Sequence, residues 1–177
     1  MSAYLDQGAT FSPDGLHRYR CWRTWSDAPP IAWLMLNPST ADASVLDPTL
    51  RRVESFSARE GAGGFEVWNL WSLRSTDPAE LWRWLEAGQP EEVFAANTNA
   101  ILAEAGRFPR VVCAWGSFSK CPTRLLRQAA LAAEAAADKI ATYTTPVRLG
   151  EPTKTGQPRH PLYVDGATPL VVHRSTP

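Results

Sequence analysis

Ile31-Ala32-Trp33-Leu34-Met35-Leu36-Asn37-Pro38-Ser39-Thr40-Ala41-Asp42 decides how this chain is read. An unbroken apolar run stops abruptly at Asn-Pro. Such a run suits a strand buried on both faces, as in a parallel sheet covered by helices. The proline holds Asn37 extended, so a polar cluster follows the strand at once.

Downstream the pattern repeats. Asp47-Pro48 places a capping side chain before proline at the first helical position, and a helix is expected to about Glu60, stopping at Gly61. A second strand is expected over Phe65 to Leu70. Asp77-Pro78-Ala79-Glu80 repeats the cap, with Glu80 at the capping-box position. Helices then run to about Ala87 and from Pro90 to Ala105. A third strand covers Arg110 to Trp115 and closes at Gly116. An Ala-rich helix spans roughly Pro122 to Asp138, and a fourth strand lies near Ile140 to Thr144. Upstream, Ala9 to Ser12 and His17 to Trp25 flank the turn Pro13-Asp14-Gly15 and read as a hairpin.

Strand, loop and helix in alternation imply an α/β fold with a short parallel sheet of about four strands between helices. The expected organisation is one domain over 1–177. Within it, 1–28 form an N-terminal β-hairpin extension and 146–177 a motif-bearing C-terminal segment.

The chain has 177 residues, 44% apolar and 20% charged, which fits a folded domain. Its 18 basic and 18 acidic residues balance, which argues against a wholly basic nucleic-acid binder but leaves room for a local basic patch. No apolar run approaches the ~18 residues of a membrane span, and Met1 to Phe11 lacks the features of a signal peptide. Cys21, Cys113 and Cys121 are too widely spaced for a CxxC site or a disulfide framework; with them goes the expectation of a cytoplasmic protein. His17, His160 and His173 show no zinc spacing. P-loop, GxGxxG, GxSxG and HExxH motifs are absent. No metal and no organic cofactor is expected.

In doubly wound folds ligands bind beyond the carboxyl ends of the strands. The candidates are therefore Asn37-Pro38-Ser39-Thr40, Asn69-Leu70-Trp71 and Gly116-Ser117-Phe118. Asn37 fits either a turn or an amide that orients a water. Asp42 and Asp47 are the acidic candidates, although Asp47 also serves as a cap. Arg51, one turn into the same helix, fits a phosphate clamp or a solvated face. The Asn69 amide offers a donor and an acceptor to a base edge, and Trp71 offers a stacking surface. His160 lies in a proline-bounded loop and suits stabilisation of a developing anion, flanked by Lys154 and Arg159.

In order, these motifs resemble the bacterial and phage family named domain of unknown function DUF1643. The matching elements are Tyr19-Arg20 with Arg23 and Trp25, then Met35 to Asp42, Asp47-Pro48-Thr49 with Arg51, and Asn69-Leu70. Trp115-Gly116, and Thr153-Lys154 with Gly156, Pro158 and His160-Pro161-Leu162-Tyr163, complete the set. The name states no function. More distantly, the motif order is similar to the uracil-DNA glycosylase superfamily. Met35-Leu36-Asn37-Pro38 corresponds to its Gly-x-Asn-Pro motif, with Met in place of glycine. Asn69 corresponds to its base-reading Asn, Val111 to Gly116 to its Val-Val-x-x-Gly stretch, and His160-Pro161 to its His-Pro motif. Leu162-Tyr163 stands where a small pair is usual.

This resemblance implies a nucleobase-recognising DNA glycosylase acting on a modified or damaged base. Asn37 would position the attacking water, Asn69 read the base edge, His160 stabilise the departing base or contact the nucleic-acid backbone, and an aromatic such as Trp71 stack on the base. Catalysis is expected from Asn37, His160 and Asp42. Substrate binding is expected from Pro38, Ser39, Thr40, Asp47, Arg51, Asn69, Trp71, Gly116, Lys154, Arg159 and Tyr163. DNA or a nucleotide is the expected partner, with no membrane. The alternatives are a non-catalytic nucleotide or nucleic-acid binding module, and an enzyme of free nucleosides or nucleotides.

Overall fold

The computed structural model describes residues 4–39 and 47–174. Strands β1 (Asp6–Phe11), β2 (Arg18–Thr24) and β3 (Ile31–Met35) precede helix α1 (Pro48–Arg59). Strand β4 (Gly64–Asn69), helices α2 (Pro78–Glu86) and α3 (Glu91–Ala105), and strand β5 (Arg110–Cys113) follow. Helix α4 (Thr123–Ala141), strand β6 (Thr145–Leu149), a 3₁₀ turn at Pro161–Tyr163 and strand β7 (Leu170–Val172) complete the chain.

The architecture is α/β, but the sheet is larger and more mixed than the expected four parallel strands. Among the described residues seven strands lie in the order β1-β2-β4-β3-β5-β6-β7. The inner four, β4-β3-β5-β6, are parallel, while β1, β2 and β7 add antiparallel pairs at the two sides. The hairpin forms and becomes part of the sheet, because β2 pairs with β4 from Cys21↔Val67 to Thr24↔Gly64.

Every residue of β3 and β4 is buried, as a continuous apolar run requires between two helical layers. Alternation divides these strands between two cores. Ile31, Trp33 and Met35 face α1 with Leu50, Val53 and Phe56. Ala32 and Leu34 join Trp68, Leu81, Ile101 and the α4 alanines on the opposite face.

The fourth strand begins at Thr145 rather than Ile140. Ala129, Ala133, Ala137 and Ile140 form one buried stripe of α4, so Ile140 is the last anchor of a helical face and not the first residue of a strand. Both Asp-Pro caps form: Asp47 Oδ1 accepts from Leu50 N at 2.8 Å and Asp77 Oδ1 from Ala79 N at 3.0 Å. The capping box at Glu80 does not. Ser75 Oγ accepts from Asp77 N at 3.1 Å and donates to the Glu80 carboxylate, standing between the two.

Candidate functional site

The register of the central strands builds the site. Met35 lies beside Asn69 across the β3–β4 pair, so both strands end at the same edge of the sheet. There a cavity of about 340 Å³ opens, a size within the range of small-molecule sites. Met35, Leu36, Asn37, Ser39 and Asn69 reach it from the ends of β3 and β4. Trp115 to Ser119 reach it from the loop after β5, and Asp47, Thr49 and Leu50 from the start of α1. Thr153, Arg159, His160 and Tyr163 come from the C-terminal segment, and Arg18 from the start of β2.

Local hydrogen bonds fix each wall. Asn37 Nδ2 donates to the Ser75 carbonyl at 3.0 Å and approaches those of Pro38 and Leu73 at 3.2 and 3.4 Å. A nitrogen facing carbonyls sets the amide orientation, leaving Oδ1 as the acceptor. Pro38 is buried behind this wall, where its carbonyl accepts from Ser75 N. Asp47 combines the helix cap with a bond from Ser39 Oγ at 2.7 Å.

The C-terminal segment is tied over the end of β5. Trp115 Nε1 donates to Gln157 Oε1 at 2.8 Å, and Gly116 N to the Pro158 carbonyl at 3.0 Å. Gly116 has φ 80°, and a Cβ there would stand 3.3 Å from the His160 Cβ. Glycine therefore meets both the left-handed backbone and the close approach of the histidine. Arg52 of α1 donates to the carbonyls of Pro161 at 3.3 Å and Val164 at 2.6 Å, which docks the 3₁₀ turn.

Burial pushes the His160 pKa down to about 4, opposed by the Asp47 carboxylate. The ring is neutral near pH 7. Its Nδ1 accepts from Leu162 N at 3.3 Å, so the proton belongs on Nε2, which is then a neutral donor. The Tyr163 ring lies 5.5 Å from the His160 ring and is largely exposed.

Among the described residues, two side chains of the cavity wall carry buried nitrogens without a hydrogen-bond partner. Asn69 is 1% exposed and its Nδ2 has no acceptor, although its backbone carbonyl accepts from Asn97 Nδ2 at 2.9 Å. Arg18 is 3% exposed with neither Nε nor Nη1 bonded. Burial lowers its pKa, with Cys21 and Asp47 opposing, yet a guanidinium stays charged in proteins. Arg18 does not stand out in the sequence, since an arginine beside Tyr19-Arg20 looks like one of several solvated strand charges. Its signal is positional: the first residue of an antiparallel strand lies beside the last residues of its partner, and Arg18 N donates to the Ser72 carbonyl at 2.9 Å.

The cavity thus brings together Asn37, Ser39, Asp47, Asn69, Gly116, Arg159, His160 and Tyr163. Thr40 and Asp42 lie outside the described residues. Arg51 and Lys154 are exposed and do not line the cavity. Arg51 turns to solvent because its helix buries Leu50 and Val53. Trp71 does not line it either: its ring sits edge-on to Trp82 at 5.5 Å and to Phe118 at 6.3 Å in the core beneath α2. The aromatics at the cavity are Trp115, Phe118 and Tyr163. Phe118 has φ 53°, an uncommon conformation for a bulky residue, and is held there by Trp71 and Trp82.

No three His, Cys, Asp or Glu side chains come together to hold a metal among the described residues, and no described helix is long and apolar enough to cross a membrane. Comparison with curated proteins and with solved structures gave no significant match. A family model described as protein of unknown function (DUF1643) does match, over residues 18–162. That span runs from Arg18 in the cavity to the turn that follows His160, and the chain belongs to this family.

Proposed function

We propose that the cavity recognises a nucleobase and that the protein hydrolyses the N-glycosidic bond joining that base to its sugar. The observation that carries this reading is Asn69, a buried amide in the cavity wall whose nitrogen has no protein acceptor. A base edge presents the acceptor it lacks. The resemblance of Asn37, Asn69 and His160 to the glycosylase motifs, and the parallel β4-β3-β5-β6 core, support the finer reading of a uracil-DNA-glycosylase-like fold.

Chemically, Asn37 Oδ1 orients a water against the sugar C1′. The bond from water oxygen to C1′ forms as the C1′–N bond breaks, and its electron pair leaves on the base. The Asp47 carboxylate takes the proton of the attacking water. His160 Nε2–H donates to the departing base while remaining neutral, which stabilises negative charge without moving a full charge into the site. If the base is in DNA, it must first be flipped from the stack.

Arg18 favours a second reading, an enzyme of free nucleotides, because a buried cation suits a ligand that carries its own anion. Base release separates these readings. Oligonucleotides with uracil, hydroxymethyluracil or other modified bases, and the matching nucleosides and nucleotides, are incubated with the folded protein and analysed for free base. Release from oligomers supports the DNA reading. Release from monomers alone supports the second. Binding without release leaves a non-catalytic module and overturns the hydrolase assignment.

A further inference from the structure

Among the described residues that line the cavity the charges are unbalanced: Arg18 and Arg159 bring two guanidiniums and Asp47 one carboxylate, while His160 is neutral. Arg159 is exposed and its Nε donates to the Glu151 carbonyl at 2.8 Å. Arg18 is 3% exposed, its Nε and Nη1 are unbonded, and no carboxylate lies within 4.0 Å of its guanidinium among the described residues. Asp47 is felt electrostatically, but its oxygens are bound by Ser39 and Leu50. An unpaired buried charge is among the costliest features a fold carries, and water would solvate it without neutralising it. In the same cavity wall, Asn69 adds a second orphaned donor.

We propose that Arg18 and the Asn69 amide nitrogen form a seat for the terminal phosphate monoester of a small ligand. Guanidinium and amide N–H groups suit phosphate oxygens, and charge-assisted bonds are the strongest of this kind. Burial decides which phosphate. A phosphodiester inside a polymer continues outward through both ester oxygens and stays near the mouth of a site. A terminal phosphate has one ester link and reaches an arginine that is 3% exposed. The ligand class is then a nucleoside monophosphate; the nucleobase part rests on the function proposed above, and the phosphate seat does not. In that mode Asn69 serves the phosphate, and the base is read by the Asn37 and His160 side chains of the same cavity.

The test is calorimetric binding of inorganic phosphate, a series of nucleoside monophosphates, the matching nucleosides and a dinucleotide phosphodiester, to the wild-type chain and to Arg18→Met. The monophosphate is expected to bind about tenfold or more tighter than its nucleoside, the difference expected of hydrogen bonds to a charged group. The phosphodiester should gain little. Arg18→Met should remove the gain, and should melt at a higher temperature than wild type without ligand because the unpaired charge is gone. If that variant does not fold, Arg18→Lys keeps a charge with a different donor geometry and should weaken monophosphate binding. Competition of inorganic phosphate with the monophosphate on the wild-type protein needs no variant. Equal affinities for nucleoside and monophosphate, or undiminished phosphate binding in the Arg18 variants, overturn the seat and leave the nucleobase reading intact. Phosphate binding that depends on Arg18, with no preference for any nucleobase, supports the seat and removes the nucleobase reading.

Discussion

Asn97 of α3 donates its amide nitrogen to the Asn69 carbonyl at 2.9 Å and to the Leu70 carbonyl at 3.2 Å. One buried helix residue thus pins the carboxyl end of β4, the point at which Asn69 enters the cavity. Asn97 makes no contact with the cavity itself and acts as a positioning residue.

Asn97→Ala leaves two strand-end carbonyls without their donor. A buried polar group left unpaired costs about 1–3 kcal/mol, and urea titration should show a loss of that order. Monophosphate or base affinity should fall as well, since the Asn69 backbone is released. A full stability loss with unchanged affinity would remove the positioning role.

Asp47 caps α1 and faces the cavity, and two substitutions separate these roles. Asp47→Ala should cost about 1 kcal/mol through the lost cap. Asp47→Asn keeps an oxygen for Leu50 N and should be close to wild type in stability. If the carboxylate is the base for water, both variants lose base release to a similar extent. Retention of activity in Asp47→Asn would assign Asp47 to the cap alone.

His160 predicts a pH dependence. Its folded pKa of about 4 lies below the ordinary 6.5, so the unfolded chain binds the proton first as pH falls. The contribution of this group to stability is complete above pH 6.5 and is lost progressively between about 6.5 and 4. The full shift corresponds to at most about 3 kcal/mol. Protonation also removes the Nδ1 acceptor from Leu162 N. His160→Gln should flatten the stability profile across this window, as read by chemical denaturation at several pH values; an unchanged slope would show that the ring titrates normally.

Gly116→Ala should destabilise by about 1–2 kcal/mol from its left-handed backbone, and the new methyl presses on His160. Ligand binding should weaken together with stability. Ala at the exposed Gly106, whose φ is negative and which has open space around its Cβ position, should do neither.

The strands at Ile31 and Phe65, the Asp-Pro caps and the polar residues after each strand were legible because each rests on a local cause. An unbroken apolar run, an N-cap oxygen and a pre-proline restriction act within a few residues. Ile140 resembles a strand start because it is apolar and β-branched and lies near Tyr143, while its role as the last anchor of the α4 stripe shows only in the helical period. Trp71 was expected beside a ligand because it follows Asn69, yet Trp82 and Phe118 draw its ring into the core.

Local chemistry along the chain sets apolar strands in alternation with capped helices, and puts Asn37, Asn69, Gly116 and His160 after or beside those strands. It takes the folded sheet to bring them to one cavity, to add Arg18 with no ion pair among the described residues, and to hold Asn69 in place through Asn97. The reason is strand direction and order. Because β2 runs antiparallel to β4, its first residue lies at the edge where the parallel strands end. No local pattern encodes that neighbour, since it arises from backbone pairing between segments about fifty residues apart.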